Sequence, residues 1–205
     1  ERGRKLRAVG LVAPLFLFIL ITFVVPIGVM LYRSIENPEI VATMPRTVAA
    51  IVAWDGRGLP DEAVFAAFAA DLKEAQANKT TALIGKRLNH EIYGARSKVL
   101  ATARKVEKLE GGPYKEAIVA MDPLWADRET WAVIKRASHP FTDFYLLAAL
   151  DLQRDVENDV VSAPSNRAIF VDAFIRTLGI SLTVTLATLL LGFPIAYLLA
   201  TLPAR

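Results

Sequence analysis

Two long apolar runs frame this chain, and between them hydrophobic positions recur at helical spacing. The first run, AVGLVAPLFLFILITFVVPIGVMLY, covers Ala8 to Tyr32 without a charged residue. Its 25 residues would reach roughly 37 Å as a helix, against about 30 Å for a hydrocarbon core. It is too long for the apolar part of a signal peptide, which is about 7–15 residues, and Arg33, Ser34 and Ile35 follow it in place of a small-residue cleavage pattern. The pattern predicts an uncleaved span at residues 9–32. Pro14 and Pro26 lie inside it, where each is expected to kink a helix whose neighbours satisfy the freed carbonyl. The second run, Thr177 to Pro203, predicts another span at residues 177–203. Small residues recur along it at Gly179, Ser181, Thr183, Thr185, Ala187, Thr188, Gly192 and Ala196, the composition that lets helices approach closely in lipid.

Residues 33–165 alternate differently. Asn37-Pro38 and Pro45 punctuate the entry; Ile40, Val41, Val48–Ala50 and Ile51–Trp54 read as short extended pieces closed by Asp55-Gly56 and Gly58. Pro60, Asp61 and Glu62 have the composition of a first helical turn, and Val64, Phe65, Phe68 and Leu72 form the stripe of the helix that follows. Thr80 or Thr81 is expected to cap a second, long helix. Its apolar positions run from Ile84 through Leu88, Ile92, Ala95, Val99, Ala103 and Val106 to Leu109, and Gly111-Gly112-Pro113 stops it. Shorter helices are expected at Tyr114–Met121, Ala126–Ala137 and Phe141–Arg154, with a turn and a buried aromatic at Asp122-Pro123-Leu124-Trp125. Ser162–Asn166 is a break. Residues 166–176 form an amphipathic helix capped by Asn166, with Asp172 and Arg176 as an i,i+4 pair; it either lies at the membrane interface or packs on the loop.

Charge fixes the predicted orientation. The chain has net charge +3 and a pI near 9.2, yet the basic excess is not a nucleic-acid stripe. Residues 1–8 carry Arg2, Arg4, Lys5 and Arg7 against Glu1, whereas residues 33–176 carry 19 cations against 20 anions. Cations beside the first span place residues 1–8 in the cytoplasm, residues 33–176 outside and the C-terminus inside. The seven cations of the expected long helix (Lys86, Arg87, Arg96, Lys98, Arg104, Lys105 and Lys108) read as a solvated face rather than a surface for an acidic partner or lipid headgroups.

Candidate chemistry is sparse. The absence of Cys excludes disulfides, thiolate metal sites and Cys nucleophiles, and His90 and His139 lie too far apart to suggest a metal pair. There is no phosphate-binding loop, nucleophile elbow, zinc-protease motif or dinucleotide fingerprint, and neither span holds a charged side chain. Ser138, His139 and Asp143 are neighbours in sequence, and His139 reads as a helix-start residue, not a triad member. Asn78-Lys79-Thr80 matches the short glycosylation pattern. The sequence marks no catalytic, metal or cofactor residue, and the chain is not expected to be an enzyme.

One segment carries a resemblance. Arg176-Thr177-Leu178, Ser181-Leu182, Val184-Thr185-Leu186 and Leu191-Gly192-Phe193-Pro194-Ile195-Ala196-Tyr197, followed by Leu199-Ala200, resemble the opening of the transmembrane domain of ABC-importer permeases, most closely the spermidine/putrescine type. The first span with its basic flank resembles that family's first helix. The resemblance implies an all-α membrane protein of the bacterial inner membrane. Its two spans, flanking a mostly helical extracytoplasmic domain, would begin a permease bundle, with Gly192, Pro194, Tyr197, Pro14 and Pro26 as packing residues. It implies four partners: an ATPase subunit that binds ATP, a second permease subunit, a periplasmic substrate-binding protein and the lipid bilayer. Nucleic acid is not among them. The family's Glu-Ala-Ala docking loop would lie beyond Arg205; Glu62-Ala63, Glu74-Ala75 and Glu116-Ala117 are expected outside and do not qualify, so the chain reads as part of a permease. Residues 38–165 are an insertion with no inherited role. The rival reading is a two-span receptor with an extracytoplasmic sensing domain.

Overall fold

The structure, a computed structural model, describes residues 13–202. The chain forms two units: one runs through Tyr145 and includes Arg154–Asp159, and the other comprises Leu146–Gln153 and the chain from Val160 onward.

The first unit begins with helix α1, Ala13–Arg33. Within it Leu20–Val24 is a wide π turn, closed by the Val25 N–H on the Leu20 carbonyl, and Pro26 follows directly. Two short helices come next, α2 (Pro38–Thr43) and α3 (Pro45–Ile51), where extended pieces were expected. The β-branched residues there favour strands locally, but each segment opens with Pro in the first helical turn, where its fixed φ suits a helix and its missing N–H costs nothing. A distant carboxylate completes α3: Asp71, itself buried, accepts from the Thr47 N–H at 2.7 Å and the Thr47 hydroxyl at 2.8 Å, and Arg46 pairs with it at 3.2 Å.

Helix α4, Glu62–Ala77, follows the expected start, and Val64, Phe65, Phe68 and Leu72 are all buried. The long helix predicted from Thr80 to Leu109 is instead two helices, α5 (Thr81–Glu91) and α6 (Ala95–Val106). Gly94 takes φ +79° between them, a conformation that spares glycine the Cβ clash. The two helices fold back so closely that a Cβ on Gly85 would lie 3.1 Å from the Arg96 carbonyl oxygen. Thr80 occupies the N-cap position of α5 without capping through its side chain; its hydroxyl turns back to the Ala75 carbonyl.

Helix α7, Tyr114–Met121, has the expected bounds, and Glu62 caps it by accepting from the Tyr114 and Lys115 N–H groups. The Asp122 turn is a short 3-10 helix, Pro123–Ala126, with Trp125 fully buried. Helix α8, Arg128–Ala137, starts two residues later than expected because Asp127 caps the Glu129 N–H. The core gathers around four rings. Phe65 lies 4.4 Å from Trp131 and Phe68 lies 4.7 Å from Trp125, in tilted geometry. Ile84, Leu88, Val99, Val106, Ile118 and Ile134 enclose them. The Trp125 N–H reaches the Thr102 hydroxyl at 2.8 Å and the Trp131 N–H reaches the Trp125 carbonyl at 3.0 Å, so neither indole leaves a buried donor unpaired.

The expected helix Phe141–Arg154 is shorter. Helix α9, Phe144–Ala149, leads into the second unit, where Asp151 at φ +55° ends it and strand β1, Leu152–Arg154, pairs with β2, Val160–Ser162. The separate amphipathic helix at residues 166–176 is not observed. One helix, α10, runs from Phe170 to Thr201. Asn166 does not cap it; Asp151 does, its two carboxylate oxygens accepting from the Phe170 and Val171 N–H groups at 2.9 Å each.

Candidate functional site

Helices α1 and α10 are each long and apolar enough to cross a membrane: α1 has 21 described residues, α10 has 32, and neither buries a residue. In a water-soluble fold such surfaces would be covered, because exposed apolar area on this scale is not stable in water. Pro14 lies in the first described turn of α1, and Pro26 follows its π turn. Pro194 sits inside α10, which continues as helix to Thr201. Gly192 has open space, since a Cβ there would meet nothing within 4 Å, and Tyr197 is exposed. The predicted packing residues thus fall on two helices, Pro14 and Pro26 on α1 and Gly192, Pro194 and Tyr197 on α10. Along one stripe of α10, Val184, Thr185, Thr188, Gly192 and Ala196, with Leu189 and Phe193 beside them, line a shallow open groove. The hydroxyls of Thr185 and Thr188 donate to the carbonyls four residues back, at 2.7 Å each, so the polar atoms of the small residues in the stripe are already satisfied.

The other notable site lies where α1 meets the helical domain. Asn37, four residues beyond α1, is buried; its side-chain amide donates to the Ala137 carbonyl at 2.7 Å and the His139 carbonyl at 2.8 Å. Its backbone N–H reaches the Pro140 carbonyl, Thr142 donates to Ile35, and Glu36 forms an antiparallel bridge with Phe141. The Asn37 side-chain oxygen accepts from Arg87 Nε at 2.6 Å. Arg87 is buried too, pairs with Glu91 at 2.9 Å and lies over the Phe144 ring at 5.6 Å. Glu91 also binds Arg136 at 3.1 Å, and Arg136 donates onward to the Asp155 carbonyl. A buried cation is costly unless paired and hydrogen-bonded, and here each charge has its partner. The network fixes the exit of α1 against α5 and α8.

Arg87 therefore leaves the solvated face on which the sequence placed it. Lys98 also has a partner, Asp122 at 3.3 Å, and Lys105 donates to the Met121 carbonyl. Beside Arg87, burial and that guanidinium hold the His90 imidazole below its ordinary value, and burial raises the Tyr145 phenol. Ser138, His139 and Asp143 form no triad: the Ser138 hydroxyl donates to Ile134, and Asp143 is held low by its hydrogen bonds from Arg154. His139 is exposed just past the end of α8, not at a helix start. Asn78 is exposed at the end of α4. Among the described residues no cluster of His, Asp and Glu has the makings of a metal site. The sequence held no signal for the Asn37–Arg87–Glu91–Arg136 network beyond the i,i+4 spacing of Arg87 and Glu91.

No family model matches the chain, and no curated protein and no solved structure matches it either.

Proposed function

We propose that this chain is a membrane-embedded permease subunit of a binding-protein-dependent ABC importer, for polyamines or similar small organic solutes. In this reading α1 and α10 cross the bacterial inner membrane with the N-terminus in the cytoplasm, and the helical domain between them faces the periplasm. A substrate-binding protein delivers the solute, a second permease subunit completes the pathway, and a separate ATPase supplies the energy that opens and closes the bundle. The chain itself binds no nucleotide and catalyses no reaction.

The observation that carries this reading is the stripe on α10. A helix that only anchored a domain would need apolar bulk; this one sets Thr185, Thr188, Gly192 and Ala196 in line, beside the Gly-Phe-Pro-Ile-Ala-Tyr segment that resembles the permeases. Such a stripe suits close packing against further helices, which alternating access requires. A second reading, a two-span receptor, draws on a different observation: the domain between the spans has its own aromatic core, as a sensing domain would.

Purification from native membranes in mild detergent separates the two. The permease reading expects a nucleotide-binding ATPase to co-purify and its ATP hydrolysis to rise on addition of a polyamine-loaded binding protein. Recovery of the protein with a kinase or other signalling module, and without an ATPase, would overturn it in favour of the receptor.

A further inference from the structure

The π turn of the first span has Thr22 at its centre. The Val25 N–H closes that turn on the Leu20 carbonyl, five residues back. The next rung would use the N–H of residue 26, and Pro26 has none. Residue 26 thus gives no hydrogen bond to Ile21, its partner at the wide spacing, or to Thr22, its partner at the ordinary one. The Thr22 hydroxyl is a further polar group at the same level. Among the described residues it makes no hydrogen bond, whereas Thr177, Thr183, Thr185, Thr188 and Thr201 each donate to a carbonyl four residues back. Thr22 is exposed and sits close to midway between Ala13 and Arg33.

If α1 spans a bilayer, as proposed above, these groups lie near the middle of the hydrocarbon. Unsatisfied carbonyl and hydroxyl groups at that depth are not tolerated against lipid; irregular backbone there is found where protein covers it or where it lines a water-filled cavity. Phe18, Phe23, Val25 and Val29 surround the turn, so a second helix is denied the close backbone approach that small residues allow. Water is small enough to enter and can both donate to the carbonyl and accept from the hydroxyl. We infer that the Thr22 hydroxyl and the carbonyl that Pro26 leaves without a donor form a water-binding notch, and that this face of the first span lines a hydrated path through the membrane.

The chain has no Cys, so single replacements report cleanly. The whole protein, in membranes presented from either side, would be treated with a small, water-soluble, impermeant thiol reagent. Thr22→Cys should label at least about tenfold faster than Leu20→Cys and Val24→Cys, which lie roughly 200° around the helix. Adding Pro26→Ala restores the missing N–H, and labelling of Thr22→Cys should fall toward the rate of Leu20→Cys. Slow, equal labelling at all three positions, with Ser34→Cys labelled at once, would overturn the notch and leave the membrane span standing. Labelling of all three as fast as Ser34→Cys would overturn both.

Discussion

Phe68→Ala tests the helical domain most sharply. Phe68 is fully buried, 4.7 Å from the Trp125 ring and 5.4 Å from the Trp131 ring. Truncation removes roughly 120 Å² of buried apolar surface, about 3 kcal/mol at about 25 cal/mol per Å². The two lost ring contacts add about 0.5–1.5 kcal/mol each, for a total of about 4–6 kcal/mol, at the top of the range seen for Phe→Ala in cores. A domain of this size holds about 5–15 kcal/mol, so the variant loses a large share of its stability, and its melting temperature should fall by roughly 15–30 °C. The assay is tryptophan fluorescence on the full chain in detergent. All three tryptophans, Trp54, Trp125 and Trp131, lie in the domain, so the signal reports its unfolding and not that of α1 or α10. Phe68→Leu keeps most of the volume and should cost about 1–1.5 kcal/mol. A Phe68→Ala shift below about 5 °C would refute the reasoning, because it would mean that the ring is not enclosed.

Asp71→Ala should cost about 2–4 kcal/mol, since it leaves the Thr47 N–H and hydroxyl unpaired in the interior and uncaps α3; an unchanged urea midpoint would contradict this. The imidazole of His90 is held below its ordinary value of 6.5 in the folded chain, by burial first and by Arg87 second. The unfolded chain therefore takes up the proton first as pH falls, so stability declines as the pH drops through the ordinary histidine range. His90→Gln should flatten that slope, and an identical pH profile of melting would exclude His90 as its source. Asp151→Ala should speed amide exchange at Phe170 and Val171 about tenfold, the cost of a lost N-cap, and unchanged exchange would show that the carboxylate does not cap α10.

What could be read in the sequence was what local pattern dictates. The stripe of α4 and the bounds of α7 follow from spacing and from Pro and Gly punctuation, and the two long apolar helices follow from uninterrupted apolar runs. The failures come from partners distant in sequence. Helices α2 and α3 look like strands until Asp71 arrives to cap α3. The apolar spacing of Leu88, Ile92, Ala95 and Val99 continues across the break at Gly94, so periodicity alone cannot find it. Asp151 caps α10 from 19 residues away, a pairing that no local motif encodes. Arg87 looked solvated because its partners Asn37 and Phe144 come from opposite ends of the domain. Of the candidate site, Pro26 was legible as a kink, but the π turn before it and the open Thr22 hydroxyl depend on how the carbonyl register shifts around it.

In the proposed topology two helices cross a bilayer and the domain between them lies on the outer side. Thiol labelling in intact cells tests this most directly, using single Cys residues at Gly3, Ser34, Ala82 and Ser165 of the full protein. Ser34→Cys, Ala82→Cys and Ser165→Cys should react with an impermeant reagent before lysis, and Gly3→Cys only after it. Protection of Ala82→Cys in intact cells, with labelling on lysis, would put the domain in the cytoplasm and contradict the proposed topology.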